Sequence, residues 1–211
     1  MLISRKHRFI FVHIYKTAGS SMRAALLPFV YYNGLHKFVL EMYAKAGRRP
    51  SLILDPKPCV NDHSNVREIV AVIGQKTFDE YFSFVIVRNP WDWHVSHYNY
   101  VIKTPANSNY DFFTKSFPDF TAYLRWTCAN PRFQKDFIYS VDDKLLVNFV
   151  GRYENIDDDF QTICKRIGIR AELPVTNVSK TKPYQEYYTP ETVELVRKAY
   201  APDIRLFEYD F

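Results

Sequence analysis

Glycine is scarce in this chain, 6 of 211 residues, and together with 12 prolines this excludes a collagen-like or low-complexity polymer. Cysteine is scarcer still. Cys59, Cys128 and Cys164 are odd in number, far apart, and form no CxxC or Cys/His ligand spacing, so a structural zinc is not expected. Reduced thiols in a cytoplasmic protein are the simplest reading. No apolar run approaches the roughly 18 residues that a membrane span needs. The opening MLISRKHRFIFVHI has a basic start but only a short apolar stretch and no small-residue cleavage site, so it reads as a first strand and not as a signal peptide. Internal repeats and Gly/Ser-rich linkers are also missing, and one domain over 1–211 is expected.

What is present is ordinary globular material, 47% hydrophobic and 24% charged, enough for one large core and not a disordered chain. The net charge of +5 is unevenly spread. Residues 1–57 carry ten lysines and arginines against Glu41 and Asp55, a local +8, which leaves −3 for the remainder. Such a basic first quarter suits an anionic ligand near the first elements, or simply a solvated face. Aromatic residues reach 17%, and those left exposed suit stacking on sugars or bases.

Periodicity divides the chain into strands and helices. FIFVHI, at 9–14, reads as a buried strand. YKTAGSS follows as a loop, and Ser20 or Ser21 can cap a helix through MRAALLPFV. A helix is expected over 35–46 and a proline-rich loop over 48–61. SNVREIVAVI reads as a helix from Ser64, stopped by Gly74, and FSFVIV as a second buried strand. Asn89 and Pro90 then cap and start a helix through WDWHVSHYNYVI. Residues 103–143 are aromatic and polar with weak periodicity, apart from a helix at 119–128. A third strand is expected at 145–150, a helix at 157–167 with acidic start and basic end, a long loop over 170–188, and a last helix from Thr189 to Tyr200. Strands alternating with helices predict a mostly parallel α/β sheet.

Two segments carry chemistry. In FIFVHI-YKTAGSS-MRAAL a loop leaves a buried strand and feeds a helix N-terminus, where free backbone N–H groups collect. Ala18 and Gly19 permit close backbone approach to an anion, Lys16 adds a point charge, and Thr17, Ser20 and Ser21 add hydroxyls. This is a phosphate cradle but not a Walker A loop, because Lys16 precedes the glycine. An ordinary turn with a surface lysine is the plainer alternative. In FSFVIVRNPWDWHVSHY, Arg88 stands at a strand's carboxyl end, where open α/β sheets bind ligands, and Ser96 lies under two helical turns further on. A guanidinium there can hold a phosphate, or it can pair with Asp92 as a brace for the helix.

These segments resemble those of sulfotransferases that use 3′-phosphoadenosine 5′-phosphosulfate (PAPS). HIYKTAGSS resembles their HIPKTAGTS loop, and VRNPWDWHVSHY their VRNPxxRxxSxY segment. FVGRYENIDDDFQTICKRIGI and LPVTNVSKTKPYQEYYTPETVELVRKAYAPDIRLFEYDF are similar to the C-terminal half of the carbohydrate 2-O- and 4-O-sulfotransferase group. The resemblance covers about 9–29, 61–100 and 145–211, and leaves out 103–143. Tyr15 replaces the usual proline, and Trp93 stands where arginine is common. The fold so implied is P-loop-like, three layers with a central mostly parallel sheet flanked by helices.

The resemblance also implies roles. Lys16, Thr17, Ala18, Gly19, Ser20 and Ser21 would bind the 5′-phosphosulfate, and Arg88 and Ser96 the 3′-phosphate. Arg152 and Tyr153 would line the nucleotide pocket. Ser179, Lys180 and Lys182 lie in a segment similar to the family's cofactor-covering lid, and the loop is long, basic and flanked by prolines. Lys16 would stabilise the leaving group. His63, in NDHSNVREI, matches the family's catalytic histidine, and an imidazole suits a general base near neutral pH; alternatively it caps the helix after it. His94, His97 and Glu41 are weaker candidates, and His13 reads as scaffold. The Asn177 sequon is discounted without a signal peptide.

The expected reaction is in-line sulfuryl transfer to a hydroxyl of a carbohydrate acceptor, without a metal. Trp91, Trp93, Tyr98, Tyr100 and Tyr110 offer stacking surfaces, though such clusters are more often core. No membrane stem precedes the first strand, which fits a cytoplasmic enzyme of bacterial or viral type, with neither membrane nor nucleic acid as partner. Two other classes stay open: a phosphotransferase using a nucleoside triphosphate, against which the missing Walker A and Mg²⁺ carboxylates argue, and a non-catalytic binder of nucleic acid or sulfated glycan.

Overall fold

The computed structural model describes residues 1–30, 62–174 and 182–211. The expected helix at 35–46, the loop at 48–61, Glu41, Cys59, the Asn177 sequon, Ser179 and Lys180 lie outside the described residues. In chain order the elements are β1 (Leu2–Ser4), β2 (Phe9–Val12), α1 (Gly19–Leu26), α2 (Val66–Ile73), α3 (Gln75–Asp79), β3 (Phe82–Val87), α4 (Pro90–Ile102), α5 (Tyr110–Ser116), α6 (Phe120–Ala129), β4 (Phe149–Arg152), α7 (Ile156–Ile167), α8 (Pro190–Ala199) and α9 (Ala201–Leu206). They fall into two compact units, Met1–Ile86 with Phe137–Thr176, and Val87–Asp136 with Asn177–Phe211.

The first unit holds a four-stranded sheet in the order β1-β2-β3-β4, with helices about it. The N-terminal stretch makes two strands where one was expected: β1 turns back on β2 antiparallel, Leu2 opposite Phe11. β2 and β3 run parallel, Phe9 beside Phe82 and Val12 beside Val85. The sheet is therefore mixed. Every residue of β2 is buried, so both of its faces are covered, as central strands of α/β sheets require. Phe9 and Phe11 alternate onto one face and meet Phe84 at ring separations of 5.9 and 5.4 Å. Against that face pack Met22, Ala25 and Leu26 of α1 and Phe160, Ile163, Cys164 and Ile167 of α7, each set at helical spacing. Asp157, Asp158 and Asp159 lie in the first turn of α7 and Lys165 and Arg166 in its last, and Gly168 closes it in the left-handed region at φ +67°.

β4 begins four residues later than the apolar run at 145–150 suggested. The cause is Asn148, whose Oδ1 accepts from both the N–H and the hydroxyl of Ser83 at 2.8 and 2.9 Å; Leu145 only bridges Tyr139.

The second unit is helical and aromatic. Asn89 caps α4 through its Oδ1, which accepts from Trp91 N–H at 3.0 Å, with Pro90 at the first helical position. Asp119 caps α6, and Thr189 with Thr192 forms a capping box on α8. Trp91 and Trp93 are buried, which makes them packing and not stacking surfaces; Tyr100 is 46% exposed. The part of the 170–188 loop described in this unit contains a 3₁₀ turn at Tyr184–Tyr187. Among the described residues no helix is long and apolar enough to cross a membrane.

Candidate active site

In the first unit the chain leaves β2 and makes a tight loop before α1. Lys16 and Ala18 both take left-handed φ, +63° and +62°, with Thr17 between them outside that region. Each left-handed non-glycine residue costs roughly 1–2 kcal/mol, a local strain that the fold must hold in place. Alternation of this kind turns successive backbone N–H groups toward one concavity, and α1 adds the unpaired N–H groups of its first turn. The helix is capped by Ala18 and not by Ser20 or Ser21, and among the described residues no side-chain hydrogen bond caps it. Thr17 is fully buried, and its hydroxyl donates to Ile14 C=O at 2.9 Å. That hydroxyl therefore ties the loop to the strand end. Ser20 is exposed and Ser21 buried.

Gly19 has a packing reason beyond backbone approach to an anion. A Cβ there would fall on the His13 ring. His13, at the strand's end, stacks on Phe11 at 5.7 Å and lies 4.5 Å from the ring of His63. Burial, then the positive amino terminus, His63 and Arg23, lower its pKa to about 3, against the pull of a backbone hydrogen bond at Asp62. His13 is therefore a neutral spacer between the loop and His63.

His63 is exposed and does not cap a helix. Asn65 does: its Oδ1 accepts from Glu68 N–H at 3.0 Å, while Glu68 Oε2 accepts from Asn65 N–H at 3.1 Å. The helix accordingly starts at Val66 and not at Ser64. His63 Nδ1 lies 3.2 Å from His13 C=O. A carbonyl only accepts, so Nδ1 carries the proton and Nε2 keeps the lone pair in the neutral ring. Tyr15 packs edge-on against His63, and Arg23 of α1 pairs with Asp62 beside it at 3.5 Å. Loop, helix and histidine are thus one packed group. Arg152 ends β4, its N–H donating to Asp159 Oδ2 at 2.6 Å, and Tyr153 packs on the sheet core.

In the second unit Arg88 Nε donates to Asp92 Oδ2 at 2.7 Å, and the two side chains are 11% and 20% exposed. The helix-brace geometry is therefore real, and it fixes the guanidinium's direction. Asp92 and Ser96 are one turn apart on the same face of α4. The backbone of Arg88 is held by Gln134, which in turn is held by Asp203; nothing in the aperiodic 103–143 segment singled out Gln134. Burial pushes the Asp203 carboxyl up to about 7, although two backbone N–H bonds pull it down. Lys182 Nζ donates to Glu186 C=O at 3.0 Å and sits 4.8 Å over the Tyr187 ring, so it folds back on its own segment. His94 is 2% exposed and its pKa is lowered to about 3, chiefly by burial and then by His97, which removes it as a base for a bound substrate. His97 Nδ1 meets the Tyr123 hydroxyl at 3.0 Å.

Comparison with known proteins adds a family. The chain is 34% identical over 113 residues to an uncharacterized protein of Archaeoglobus fulgidus, a stretch covering 49% of this chain and 81% of that one. The crystal structure of mouse sulfotransferase SULT7A1 complexed with PAP matches with a TM-score of 0.48 at 15% identity, over 99% of this chain and 91% of that one. A model of the sulfotransferase family matches residues 1–210, nearly end to end, and the chain belongs to that family.

Proposed function

We propose that this protein transfers the sulfuryl group of PAPS to a hydroxyl of a carbohydrate acceptor. As a member of the sulfotransferase family it is a PAPS-dependent enzyme, and the phosphotransferase and non-catalytic readings of the sequence give way. The observation that carries the site assignment is the packed group at the end of β2: a strained loop with Lys16 and Ala18 left-handed, and His63 held against it with Nδ1 on the His13 carbonyl. These residues fit a 5′-phosphosulfate, because alternating φ, a helix N-terminus and a lysine are what an oxyanion group needs.

Bound there, PAPS supplies the sulfuryl group. The chain's own part is positioning and charge. Loop N–H groups and Lys16 set positive potential where the leaving phosphate gains charge. His63 accepts the acceptor hydroxyl's proton at Nε2, and the His13 carbonyl steadies the resulting imidazolium through Nδ1–H. Arg88 and Ser96 are assigned to the 3′-phosphate, Arg152 and Tyr153 to the nucleotide pocket, and Ser179, Lys180 and Lys182 to its cover. We take the two units as one sulfotransferase domain, since the family match runs without a break through both. A cytoplasmic setting belongs to the same proposal and rests on the scarcity of cysteine.

A sugar acceptor is supported by the likeness of 145–211 to carbohydrate sulfotransferases and by exposed rings at Tyr100, Phe112 and Trp126. The test is a screen of glycans and small hydroxylated acceptors with PAPS, read by the mass gained. Sulfated glycans are the expected products; sulfation of phenols or sterols alone would move the acceptor to another class. Lys16→Ala should lower kcat by about 10²–10³-fold while weakening the desulfated nucleotide far less, because its charge matters most as the S–O bond breaks.

A further inference from the structure

β3 ends at Val87, yet the next residue is still paired as though a neighbouring strand were present. Gln134 Oε1 accepts from Arg88 N–H at 2.9 Å, and Gln134 Nε2 donates to Arg88 C=O at 2.7 Å. One side-chain amide thus offers the donor and the acceptor that a strand residue would offer, in one plane. Gln134 is fully buried, so it has no water to exchange for these bonds. Its own backbone is pinned in turn. Gln134 N–H donates to Asp203 Oδ2 at 2.7 Å and Lys135 N–H to Asp203 Oδ1 at 3.0 Å, and Asp203 is also fully buried. The chain of bonds runs from Asp203 through the 134–135 backbone and the Gln134 amide to the Arg88 backbone, then through the Arg88 side chain to Asp92.

We propose that Gln134, anchored by Asp203, is the positioning residue that sets Arg88 for recognition of the nucleotide's 3′-phosphate. This rests on the assignment of Arg88 to that phosphate. The physical logic is that a guanidinium discriminates by geometry as well as charge. Asp92 fixes where the side chain points, but only if the backbone it springs from is itself fixed. Beyond the end of a strand no ladder does that, and Gln134 takes the ladder's place.

The test is calorimetric titration with adenosine 3′,5′-bisphosphate and with AMP, on the wild type, Arg88→Ala, Gln134→Ala and Gln134→Met. Methionine keeps the bulk of glutamine and removes both hydrogen bonds, which guards against a mere cavity effect. The preference for the 3′-phosphorylated nucleotide should fall about tenfold in both Gln134 variants, with AMP affinity nearly unchanged, since a misplaced binding group loses its own contact first. A full 3′-phosphate preference in folded Gln134→Met, with only melting temperature lowered, would reduce Gln134 to a packing role and overturn the proposal. If Arg88→Ala itself keeps the preference, the assignment of Arg88 fails and this proposal falls with it; loss in Arg88→Ala but not in the Gln134 variants rejects the proposal alone.

Discussion

Gly19 is where a single missing methyl group carries the most weight. Its Cβ would land on the His13 ring, and that ring is wedged between Phe11 and His63. Gly19→Ala should therefore push His13 toward His63 and lower both melting temperature and turnover. The double variant His13→Ala, Gly19→Ala should recover much of the stability, since the clash is then gone. Equal losses in the single and double variants would mean that the glycine serves something other than His13. His94 makes a different prediction. It is neutral in the fold with its pKa lowered to about 3, and Nε2 has no hydrogen-bond partner among the described residues. In the unfolded chain the same ring protonates near 6.5. A depressed imidazole pKa means that the unfolded state binds more protons below that value, so this stability is intact above pH 6.5 and is lost as pH falls toward 3. His94→Phe removes the titration and the orphaned nitrogen while leaving Tyr123 its bond to His97. The variant should gain on the wild type by about 1.4 kcal/mol for each pH unit below 6.5. Thermal melts at several pH values check this; parallel curves for the two proteins would contradict it.

At the scale of elements, the segment before α2 separates the proposed base from the cap, because different residues are assigned the two roles. Asn65 caps the helix, and His63 leans on the His13 carbonyl. Asn65→Ala should cost about 1 kcal/mol of stability and leave kcat near wild type. His63→Ala should leave melting and nucleotide affinity nearly unchanged, lower kcat by about 10²–10⁴-fold, and abolish the acidic limb of the pH–rate profile. The reverse pattern would make Asn65 the functional residue and His63 scaffold. Several elements were readable from local rules. Asn89-Pro90, Thr189-Pro190 and the stop at Gly74 sit where capping chemistry places them, since a cap needs only its own helix. Three features were not readable. The cap at Ala18 depends on a left-handed backbone that no side chain announces. The start of β4 depends on Asn148 finding Ser83, 65 residues away. The hairpin of β1 and β2 depends on Arg8 taking a positive φ of +50° in an otherwise strand-like run.

For the molecule as a whole, the proposed reaction leaves the charge on the leaving phosphate to Lys16 and the loop N–H groups, with no metal. We expect sulfotransfer from PAPS to proceed at the same rate in excess chelator. A rate lost on chelation and restored by Mg²⁺ would show that the clamp of a phosphotransferase operates here after all. The class of the protein was legible because its chemistry sits in contiguous stretches. HIYKTAGSS and VRNPWDWHVSHY each carry strand end, turn and helix start together, and a phosphate cradle needs little more than that order. What local sequence cannot contain is support from a distance. Which ring nitrogen of His63 is engaged depends on a carbonyl 50 residues earlier, and that Thr17 turns its hydroxyl inward depends on the strand end it closes against. The backbone of Arg88 is held by Gln134, 46 residues on, and Gln134 by Asp203, 69 further. Periodicity and capping act within a turn or two of chain and so determine elements and motifs by themselves. Burial and the directions of hydrogen bonds are settled only when remote segments exclude water from each other, and those decided which histidine faces solvent and what holds the arginine in place.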